Sequence, residues 1–457
     1  MIVAKFGGTS VADAQAIERL IEIVRSRLGA RPLVVVSALA GVTDALLDLA
    51  HQCGTGDAAA LDRSAAAVLQ RHERVARELE GCRTAMISIA ADAELLRGQM
   101  AAARDRRLSA AEIDSVAARG EIWSSRLVAG ALAHAGIDAE WVDIRPIMVT
   151  DGRFGRATPY TQVLNKRARD QLKPLAEAGT VPVTQGFIGA TATGVTTTLG
   201  RGGSDFTAAL LGAAVGAERV EIWTDVDGLM TADPRIVASA RTLAAASYDE
   251  AAELATFGAR ILHPATAMPL ARAGIPIVVL NSTRPERSGT TIGPQPELVR
   301  MGDSPIRSIS WKQGITSWKQ GITVVNIRAP RMLGTFGFLR ALFEVFERHE
   351  TVVDVLASGE VSISITIEDR SRLDAIVHDL TRLGEVWVDH GRAIVAIVGI
   401  GLKHTPGLAG RVFNAVWPAN VEIISQGASA INVTFVVREE DGPDVVRRLH
   451  QEFFGSC

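Results

Sequence analysis

Apolar positions recur with two different periods along the 457-residue chain, and the pattern changes near residue 295. Before that point, short apolar runs predict buried strands, and apolar residues spaced three or four apart predict helices between them. The clearest predicted strands are Ile2–Phe6, Leu33–Ser37, Val181–Gln185 and Val220–Thr224. Strands that alternate with helices favour a mostly parallel sheet covered on both faces.

Two stretches of this first part depart from the alternation. Residues 58–135 are rich in Ala, Leu and Arg and nearly free of Gly and Pro, which predicts helices throughout. Residues 186–203 are rich in Gly and Thr, which predicts a loop leading into a helix at Ser204–Val215. A run of Pro, Gly and Ser between Asn281 and Pro296 indicates the end of the domain.

The second part repeats one order of predicted elements. A strand, a helix, two strands, a helix and a strand are followed by most of the same series. The first series includes a helix at Gly337–Arg348 and strands at Val352–Leu356 and Val361–Ile367. Two ferredoxin-like α+β units side by side are the natural interpretation. We expect domains at residues 1–295, 321–390 and 391–457, with 296–320 as a linker.

A perfect tandem copy lies at the expected end of the linker. Ser310–Thr316 and Ser317–Thr323 both read SWKQGIT. Because seven is odd, two copies in one strand would place the second set of side chains on the opposite face. Extra loop length costs little entropy. We therefore predict that one copy loops out of the fold.

Composition narrows the function classes. Lys and Arg total 48 against 51 Asp and Glu, so no global basic excess favours nucleic acid or a membrane surface as partner. The three cysteines, Cys53, Cys82 and Cys457, are far apart and form no metal-ligand pattern, which fits a reducing compartment. With neither a signal-peptide pattern nor an apolar run of membrane-spanning length, we expect a cytoplasmic protein without a metal-ligand motif.

The first candidate for chemistry is Lys5-Phe6-Gly7-Gly8-Thr9-Ser10, at the end of the first predicted strand. Paired glycines let backbone N–H groups approach an anion, Lys5 adds a positive charge, and Thr9 or Ser10 can cap the next helix. An ordinary glycine turn with a surface lysine is the alternative. The sequence lacks the phosphate-binding pattern GxxxxGK[ST], which excludes the commonest nucleotide-hydrolase loop.

A second glycine segment carries more functional groups. Thr196–Asp205 reads TTTLGRGGSD and combines hydroxyls, glycines, Arg201 and Asp205 just before a predicted helix. Backbone N–H groups at a helix start point towards anions, and an arginine binds a carboxylate with two parallel hydrogen bonds. The alternative is a flexible surface loop.

Three weaker motifs accompany these two. WTDVDG at 223–228 ends a predicted strand at the sheet edge where α/β folds bind ligands, although its Asp-Gly, like the Asp-Pro of TADPR at 231–235, is also typical of a turn. FGARILHP at 257–264 offers Arg260 for a phosphate, and its His263 is best interpreted as structural. Glu121 is a candidate site residue only if its helix faces the glycine segments, since a lone Glu on a helix is usually solvated.

In order and spacing, KFGGTS, QGFIG, TTTLGRGGSD, WTDVDG, TADPR and FGARILHP resemble the aspartate kinase family. The resemblance covers essentially the whole chain. It implies a three-layer α/β/α amino-acid-kinase domain followed by two ACT-type regulatory modules. It also implies transfer of the ATP γ-phosphoryl group to the side-chain carboxylate of L-aspartate. The product, 4-phospho-L-aspartate, opens the route to lysine, threonine, methionine and diaminopimelate.

The resemblance also implies roles for individual residues. Lys5 contacts the transferring phosphoryl group, Asp205 orients Lys5, and Gly7 and Gly8 present amides to the phosphates. Arg201 pairs with the α-carboxylate of aspartate and Glu121 with its α-ammonium. The rest of the amino-acid pocket comprises Ser37, Thr43, Phe187 and Ser204. The rest of the nucleotide site comprises Phe6, Thr9, Ser10, Thr224, Asp225, Met230, Arg235 and Arg260.

Two of these positions depart from the family pattern. The family often has Tyr where Met230 stands and Lys where Arg260 stands, so the resemblance leaves adenine stacking and one phosphate contact open for this chain. Mg²⁺ is implied as a cofactor beside ATP, without a ligand motif in the sequence.

The regulatory half resembles the effector-binding stretches of the family. The implied effector residues are Gly337, Phe338, Leu339, Val353, Asp354, Ser358, Glu360 and Val361. Asp354 would pair with the ammonium of an amino-acid effector, and Gly359 stands where lysine-sensitive relatives often carry a hydroxyl. Effector sites of this kind form between subunits, which implies a homodimer or homotetramer.

Several alternatives stay open at this point. The fold also suits another carboxylate kinase, or a non-catalytic amino-acid sensor, although Lys5, Arg201 and Asp205 favour the aspartate kinase. The identity of the inhibitor, the effect of the duplication and the exact oligomeric state are open. Relatives fused to a second enzyme also leave open that the chain is a piece of a longer protein.

Overall fold

The computed structural model describes residues 1–54, 57–256, 264–294, 305–313, 321–332 and 336–455. The chain forms two compact units. The first comprises Met1–Leu229, Ala244–Ala251 and Ile261–Leu298, and the second comprises Met230–Leu243, Ala252–Arg260 and Val299–Cys457. Two short segments that precede residue 295 in the chain therefore group with the second unit, so the two units are not divided at a single point of the sequence.

The first unit is built on strands whose residues are buried on both faces, as the apolar runs predict. Its strands are β1 Ile2–Phe6, β2 Pro32–Val36, β3 Ala139–Trp141, β4 Val149–Thr150, β5 Val181–Gln185, β6 Ile188–Thr191, β7 Thr196–Thr198, β8 Val220–Thr224, β9 Ala245–Ser247, β10 Ile277–Asn281 and β11 Thr290–Gly293. Among the described residues, eight of them form one sheet in the order β3-β5-β2-β1-β8-β10-β11-β9. Only the β10–β11 pair in this sheet is antiparallel, which confirms the predicted mostly parallel sheet.

Helices connect these strands. They are α1 Ala14–Arg27, α2 Val42–Gln52, α3 Ala58–Glu78, α4 Arg83–Ala102, α5 Ala110–Ala117, α6 Arg119–His134, α7 Thr161–Gln171, α8 Lys173–Ala178, α9 Gly203–Val215, α10 Tyr248–Thr256 and α11 Pro264–Ala273. The predicted helical stretch 58–135 is thus four successive helices, α3 to α6. The last residues of α10 group with the second unit.

The expected loop at 186–203 contains regular structure. β6 pairs antiparallel with β7 and parallel with β4, and the three strands form a small separate sheet. The expectation of a continuous loop was wrong because Thr197 and Thr198 are buried and paired, although their composition is typical of a turn. This small sheet leads directly into the second glycine segment.

The second unit is an antiparallel sheet with helices. Its strands are β12 Ile306–Lys312, β13 Ile322–Arg328, β14 Leu356–Ser358, β15 Ser362–Ile367, β16 Glu385–Gly399, β17 Ile423–Gln426 and β18 Asn432–Arg438. Its helices are α12 Phe338–Arg348, α13 Leu373–Leu380, α14 Leu408–Val416 and α15 Gly442–Phe454. The strands follow the order β14-β15-β13-β16-β18-β17, and β12 pairs with β16.

The long strand β16 joins the two ferredoxin-like modules. Its first half pairs with β13 and its second half with β18 and β12, so the predicted break between residues 390 and 391 lies inside one strand. Gly391 has a φ of +66°, and the register of β16 against β13 shifts there. The residues expected at Val352–Leu356 as a strand form an extended loop, and β14 begins at Leu356.

The expected linker contains a structural strand. β12, at Ile306–Lys312, pairs antiparallel with the second half of β16 and supplies the strand that the sequence series lacked in the second module. Ile306 and Ile309 pack in the same core as Val395 and Phe435. The linker expectation was therefore wrong for these residues, because their partner lies far along the chain.

The two SWKQGIT copies contribute to different strands. Ser310–Lys312 of the first copy ends β12, whereas Ile322 and Thr323 of the second copy begin β13. Residues 314–320 lie outside the described part of the chain, so the looping out of one copy stays a prediction. Within the described residues, no helix is long and apolar enough to cross a membrane.

Candidate active site

The strand order places Lys5 in the middle of the main sheet. β1 lies between β2 and β8, with Lys5 opposite Val35 and Ile222. The Lys5 side chain is 9% exposed, and its Nζ lies 2.5 Å from Asp205 Oδ1. Asp205 stands in the first turn of α9, where the helix dipole favours a carboxylate. An ammonium group is thereby held at the carboxyl edge of the sheet.

The Gly7-Gly8 turn brings two loops into close contact. The Gly7 N–H donates to the Trp223 carbonyl at 3.0 Å, and a Cβ at Gly8 would lie only 3.0 Å from the Ala38 carbonyl oxygen. A side chain at Gly8 would therefore crowd the loop after β2. The backbone of Gly8 borders the same crevice as the Lys5 side chain.

The neighbouring side chains are used for packing. Phe6 is buried and stacked on Trp223, with ring centroids 6.1 Å apart. Ser10 is buried, and its hydroxyl donates to Ser282 Oγ at 2.8 Å. The expectation that Thr9 or Ser10 caps the next helix was wrong: Asp13 caps α1 by accepting from the Ala16 N–H. Thr9 is exposed.

Phe187, which is hydrogen-bonded to the second glycine segment, has a strained backbone. Its φ of +67° lies in the left-handed region that bulky residues avoid. The Phe187 N–H donates to Thr207 Oγ1 at 3.1 Å, and its carbonyl accepts from the Leu199 N–H at 2.8 Å. A Cβ at Gly203 would lie 2.8 Å from the Phe187 ring. These contacts fix the aromatic ring against the start of α9.

Glu121 is buried, contrary to the alternative of a solvated helix face. It lies in the first turn of α6 and is 3% exposed. Burial raises the pKa of Glu121 to about 8, although hydrogen bonds from the Ala38 N–H and the Thr43 hydroxyl oppose the shift. Among the described residues, its Oε2 has no hydrogen-bond partner. A buried carboxylate oxygen without a partner favours a cationic ligand group beside it.

These groups line one cavity of about 340 Å³. Arg201 is exposed at its rim and makes no hydrogen bond or ion pair to another described residue. Of the predicted site residues, the cavity brings together Lys5, Gly8, Ser37, Thr43, Glu121, Phe187, Arg201, Ser204 and Asp205. An ammonium, a guanidinium and a buried carboxylate thus face a single space large enough for a small amino acid.

Asp114 is a residue of this region that sequence reasoning missed. Its buried carboxylate accepts hydrogen bonds from the Thr198 N–H at 2.8 Å, the Thr198 hydroxyl at 2.9 Å and the Gly155 N–H at 2.9 Å. Burial raises the pKa of Asp114 against the effect of these bonds. Asp114 therefore anchors the end of β7 just before Gly200 and Arg201. The nearest local sequence pattern is Ser109 followed three residues later by Glu112, which form a capping box at the start of α5 and give no sign of the role of Asp114.

The residues expected around the nucleotide are distributed over both units. Thr224 ends β8, and its hydroxyl donates to Asp225 Oδ1 at 3.2 Å. Met230 and Arg235 belong to the segment Met230–Leu243 of the second unit, where Arg235 forms a two-pronged ion pair with Asp233. Arg260, together with residues 257–263 of its motif, lies outside the described residues.

The expected effector residues lie at the ends of elements in the first ferredoxin-like module. Gly337, with a φ of +83°, precedes α12. Phe338 and Val353 both pack against the hydrophobic core of this module. Leu339 and Val361 are exposed, at 46% and 37%. Ser358 and Glu360 are exposed too.

Asp354 already has a partner within the chain. Lys312 Nζ lies 2.9 Å from Asp354 Oδ1 and also contacts Glu368 Oε1. Both Lys312 and Asp354 are largely buried, and burial raises the pKa of Asp354 although Lys312 lowers it. The carboxylate predicted to bind an effector ammonium is therefore neutralised by an internal ammonium.

Comparison with known proteins agrees with this geometry. Residues 1–281 match the amino acid kinase family, and residues 395–453 match an ACT domain. Lysine-sensitive aspartokinase 3 of Escherichia coli (strain K12) is 37% identical over 474 residues, which cover 99% of each chain. Aspartokinase 1, chloroplastic, of Arabidopsis thaliana is 34% identical over 99% of this chain and 80% of that protein.

Solved structures give the same result. The crystal structure of E. coli aspartokinase III in complex with aspartate and ADP matches with a TM-score of 0.87 and 36% identity, over 99% of this chain and 100% of that chain. The complex of the E. coli enzyme with lysine and aspartate matches with a TM-score of 0.82 and 37% identity, over 99% of both chains. The chain therefore belongs to the amino acid kinase family and, within it, to the aspartokinases.

Proposed function

We propose that the chain transfers the γ-phosphoryl group of ATP to the side-chain carboxylate of L-aspartate and that the Lys5–Arg201 cavity is its active site. One observation carries the proposal: Lys5, Arg201 and the buried Glu121 all line the same cavity. The E. coli aspartokinase III structure, which holds aspartate and ADP, supports the same assignment.

Arg201 and Glu121 fit the two ends of an α-amino acid. Arg201 lacks an ion pair within the described residues and can bind the α-carboxylate with two parallel hydrogen bonds. Glu121 has a free, buried oxygen for the α-ammonium. Ser37, Thr43, Phe187 and Ser204 line the remaining space. This arrangement directs the side-chain carboxylate of the amino acid towards Lys5.

Lys5 serves the phosphoryl side of the reaction. The P–O bond to the leaving ADP breaks while a new P–O bond forms to a carboxylate oxygen, and negative charge shifts towards the leaving oxygen. The nucleophile is already ionised at neutral pH, so the reaction needs no general base. Asp205 is therefore a positioning residue that holds the Lys5 ammonium, and Lys5 stabilises the charge of the transferring group.

The nucleotide would be held by backbone amides of Gly7 and Gly8 and by Thr224 and Asp225, with Met230, Arg235 and Arg260 as further proposed contacts. The part of the chain that the structure describes contains no cluster of three His, Cys, Asp or Glu side chains suited to a metal ion. A Mg²⁺ ion would arrive on the nucleotide phosphates and supply charge neutralisation there.

Regulation by an end-product amino acid would act through the ferredoxin-like modules. The E. coli relative is named as lysine-sensitive, so L-lysine is the first effector to test. Lys312 holds Asp354 Oδ1, whereas Asp354 Oδ2 has no hydrogen-bond partner among the described residues, so an effector ammonium would bind Oδ2 or compete with Lys312 for this carboxylate. The exposed apolar side chains Phe336, Leu339, Phe343 and Val352 near α12 support self-association through this module, as a homodimer or homotetramer.

Purified chain with ATP, Mg²⁺, L-aspartate and hydroxylamine tests the reaction, because hydroxylamine traps an acyl phosphate as a hydroxamate. We expect aspartyl hydroxamate and ADP in equal amounts. Hydroxamate from L-glutamate or N-acetyl-L-glutamate but not from L-aspartate would identify another carboxylate kinase. L-Aspartate binding without any ADP formation would identify a sensor.

A further inference from the structure

A second cavity of the first unit lies between α4, α5 and α6 and measures about 380 Å³. It shares no lining residue with the proposed active site. Its charged lining consists of Arg119, Arg126, Arg145 and a single carboxylate, Asp92. Three guanidinium groups against one carboxylate give the walls a net positive charge. This volume falls within the range of small-molecule sites, about 300–1,000 Å³.

The ion pairs around this cavity leave one guanidinium, that of Arg126, without a carboxylate among the described residues. Arg145 is neutralised by Asp143, with Nη2 2.6 Å from Oδ2. Arg119 is only 10% exposed: its Nη1 donates to the Ser115 carbonyl at 2.8 Å, and its Nε lies 3.4 Å from Asp92 Oδ2. Asp92 itself accepts from the Trp123 indole N–H at 2.7 Å.

Arg126 has no carboxylate partner among the described residues, and its guanidinium lies over the Trp141 ring, 4.7 Å from the centroid. Burial lowers the pKa of Arg119, Asp92 opposes this, and the positive charge of Arg145 lowers it further. Like charges that face a common space favour an anion between them.

We propose that this cavity binds a small organic dianion, its charged oxygens paired with Arg119 and Arg126. The rest of the wall fits such a molecule, with hydroxyls at Ser88, Ser115 and Thr196 and apolar contacts at Leu95 and Ile122. Leu95 is 68% exposed and would be covered by the body of the ligand. Phosphate monoesters and dicarboxylates share this chemistry, two negative charges on oxygen atoms.

The position of the cavity connects it to the proposed active site. Arg119 and Glu121 are two residues apart in the first turn of α6, so their side chains leave the helix on different sides. Between them, a Cβ at Gly120 would lie 2.8 Å from the Ala38 Cβ, so α6 packs tightly on the loop that also borders the active site. A dianion held by Arg119 would therefore fix the helix that carries Glu121.

Calorimetric titration with glycerol 2-phosphate and with glutarate tests the proposal and separates the two classes of ligand. We expect wild-type chain to bind at least one probe with a Kd below about 1 mM. Arg126→Leu and Arg119→Gln should each weaken that binding about tenfold or more. Two single variants are used so that a folding defect in one leaves the other informative. Arg74→Ala removes an exposed arginine of α3 outside the cavity and should leave the Kd unchanged.

The Arg201→Ala variant distinguishes this cavity from the proposed active site. Binding that persists in Arg201→Ala and is weakened by Arg126→Leu supports the proposal. Binding that is lost in Arg201→Ala and unchanged in Arg126→Leu and Arg119→Gln would overturn it, since the probe would then occupy the active site. Absence of heat from both probes at about 10 mM would overturn it too.

Discussion

The ammonium of Lys5 and the carboxylate of Asp205 form an ion pair of 2.5 Å in which the side chains are only 9% and 15% exposed. One residue comes from the end of a central strand and the other from the first turn of a helix far along the chain. Because both charges are largely removed from water, removing either one would leave the other buried without an opposite charge. The pair therefore fixes Lys5 at the edge of the cavity before any nucleotide binds.

The Lys5→Met variant should lower kcat by about 10²–10³-fold, because it removes the cation that stabilises the transferring phosphoryl group. It also leaves Asp205 as a buried charge without its partner, so we expect a stability loss of about 3 kcal/mol. Hydroxamate formation measures the first effect and urea unfolding measures the second.

The double variant Lys5→Met/Asp205→Asn separates these effects. It removes both charges, so the stability should recover while turnover stays low. Turnover that returns with stability would show that Lys5 acts only as a structural partner of Asp205.

The raised pKa of Glu121 gives a second prediction. With a pKa of about 8, the carboxyl group is mostly protonated at pH 7 in the empty cavity. An α-ammonium beside it favours the ionised form, so L-aspartate binding should release a proton. Apparent affinity should rise with pH and level off above about 8, with a slope of up to tenfold per pH unit below that value. Calorimetry in buffers of different ionisation enthalpy measures the released proton.

Glu121→Gln is the matched control for this pH dependence. The amide has nearly the same shape and cannot titrate, so aspartate binding should weaken and lose its slope between pH 6 and 8. A slope that survives in Glu121→Gln would assign the titration to another group.

The sequence predicted β1, β2, β5 and β8 because each is a short apolar run that is almost entirely buried. It missed other strands of the first unit, among them β4, β6, β7 and β10. Lys5 and Arg201 stood out in the sequence because each is a charged residue within a glycine segment, whereas the other predicted residues of the cavity, such as Glu121, came from the family resemblance. The strand β12 of the second module was not predicted. The residues Ile306–Lys312 read as a linker because their partner, the second half of β16, lies about ninety residues later.

Local patterns also missed contacts made by single buried polar groups. Nothing adjacent in sequence indicates that Asp114 binds Thr198 and Gly155, or that Asp354 binds Lys312. Such pairs depend on the packing of distant elements. The capping error at Ser10 has the same origin, since its hydroxyl bonds to Ser282 on the neighbouring part of the sheet.

Asp114 should act on aspartate binding through the segment that carries Arg201. In Asp114→Asn, one acceptor oxygen is replaced by an NH₂ group that faces the N–H donors of Thr198 or Gly155, at a cost of about 2 kcal/mol. We expect the KM for aspartate to rise about five- to tenfold with little change in the KM for ATP. Steady-state kinetics with each substrate varied in turn measure both values.

Asp138→Asn is the control for the Asp114 variant. Asp138 is exposed and accepts a hydrogen bond from the Thr180 hydroxyl outside the cavity, so both KM values should stay at the wild-type level. Equal effects of Asp114→Asn on both substrates would indicate a general loss of structure and contradict the positioning role.

The ion pairs of Lys312 with Asp354 and Glu368 in the second unit give a further prediction about stability. Burial lowers the pKa of Lys312, but its bonds to Glu368 and Asp354 outweigh this and raise the pKa overall, so the ammonium is charged throughout the neutral range. Lys312→Met leaves two largely buried carboxylates without their cation and should destabilise the chain by about 3 kcal/mol at pH 7. The deficit should shrink as the pH falls, because burial raises the pKa of Asp354 and a protonated carboxyl group no longer needs the cation.

The same variant tests the proposed effector site. With Lys312 removed, L-lysine should bind Asp354 without competition from an internal ammonium, so millimolar L-lysine should restore thermal stability to Lys312→Met more than it stabilises wild type. Lys166→Met, which breaks an exposed ion pair with Asp170, should cost no more than about 0.5 kcal/mol and gain nothing from L-lysine. If L-lysine stabilised Lys312→Met and wild type equally, Asp354 would not be the group that receives the effector ammonium.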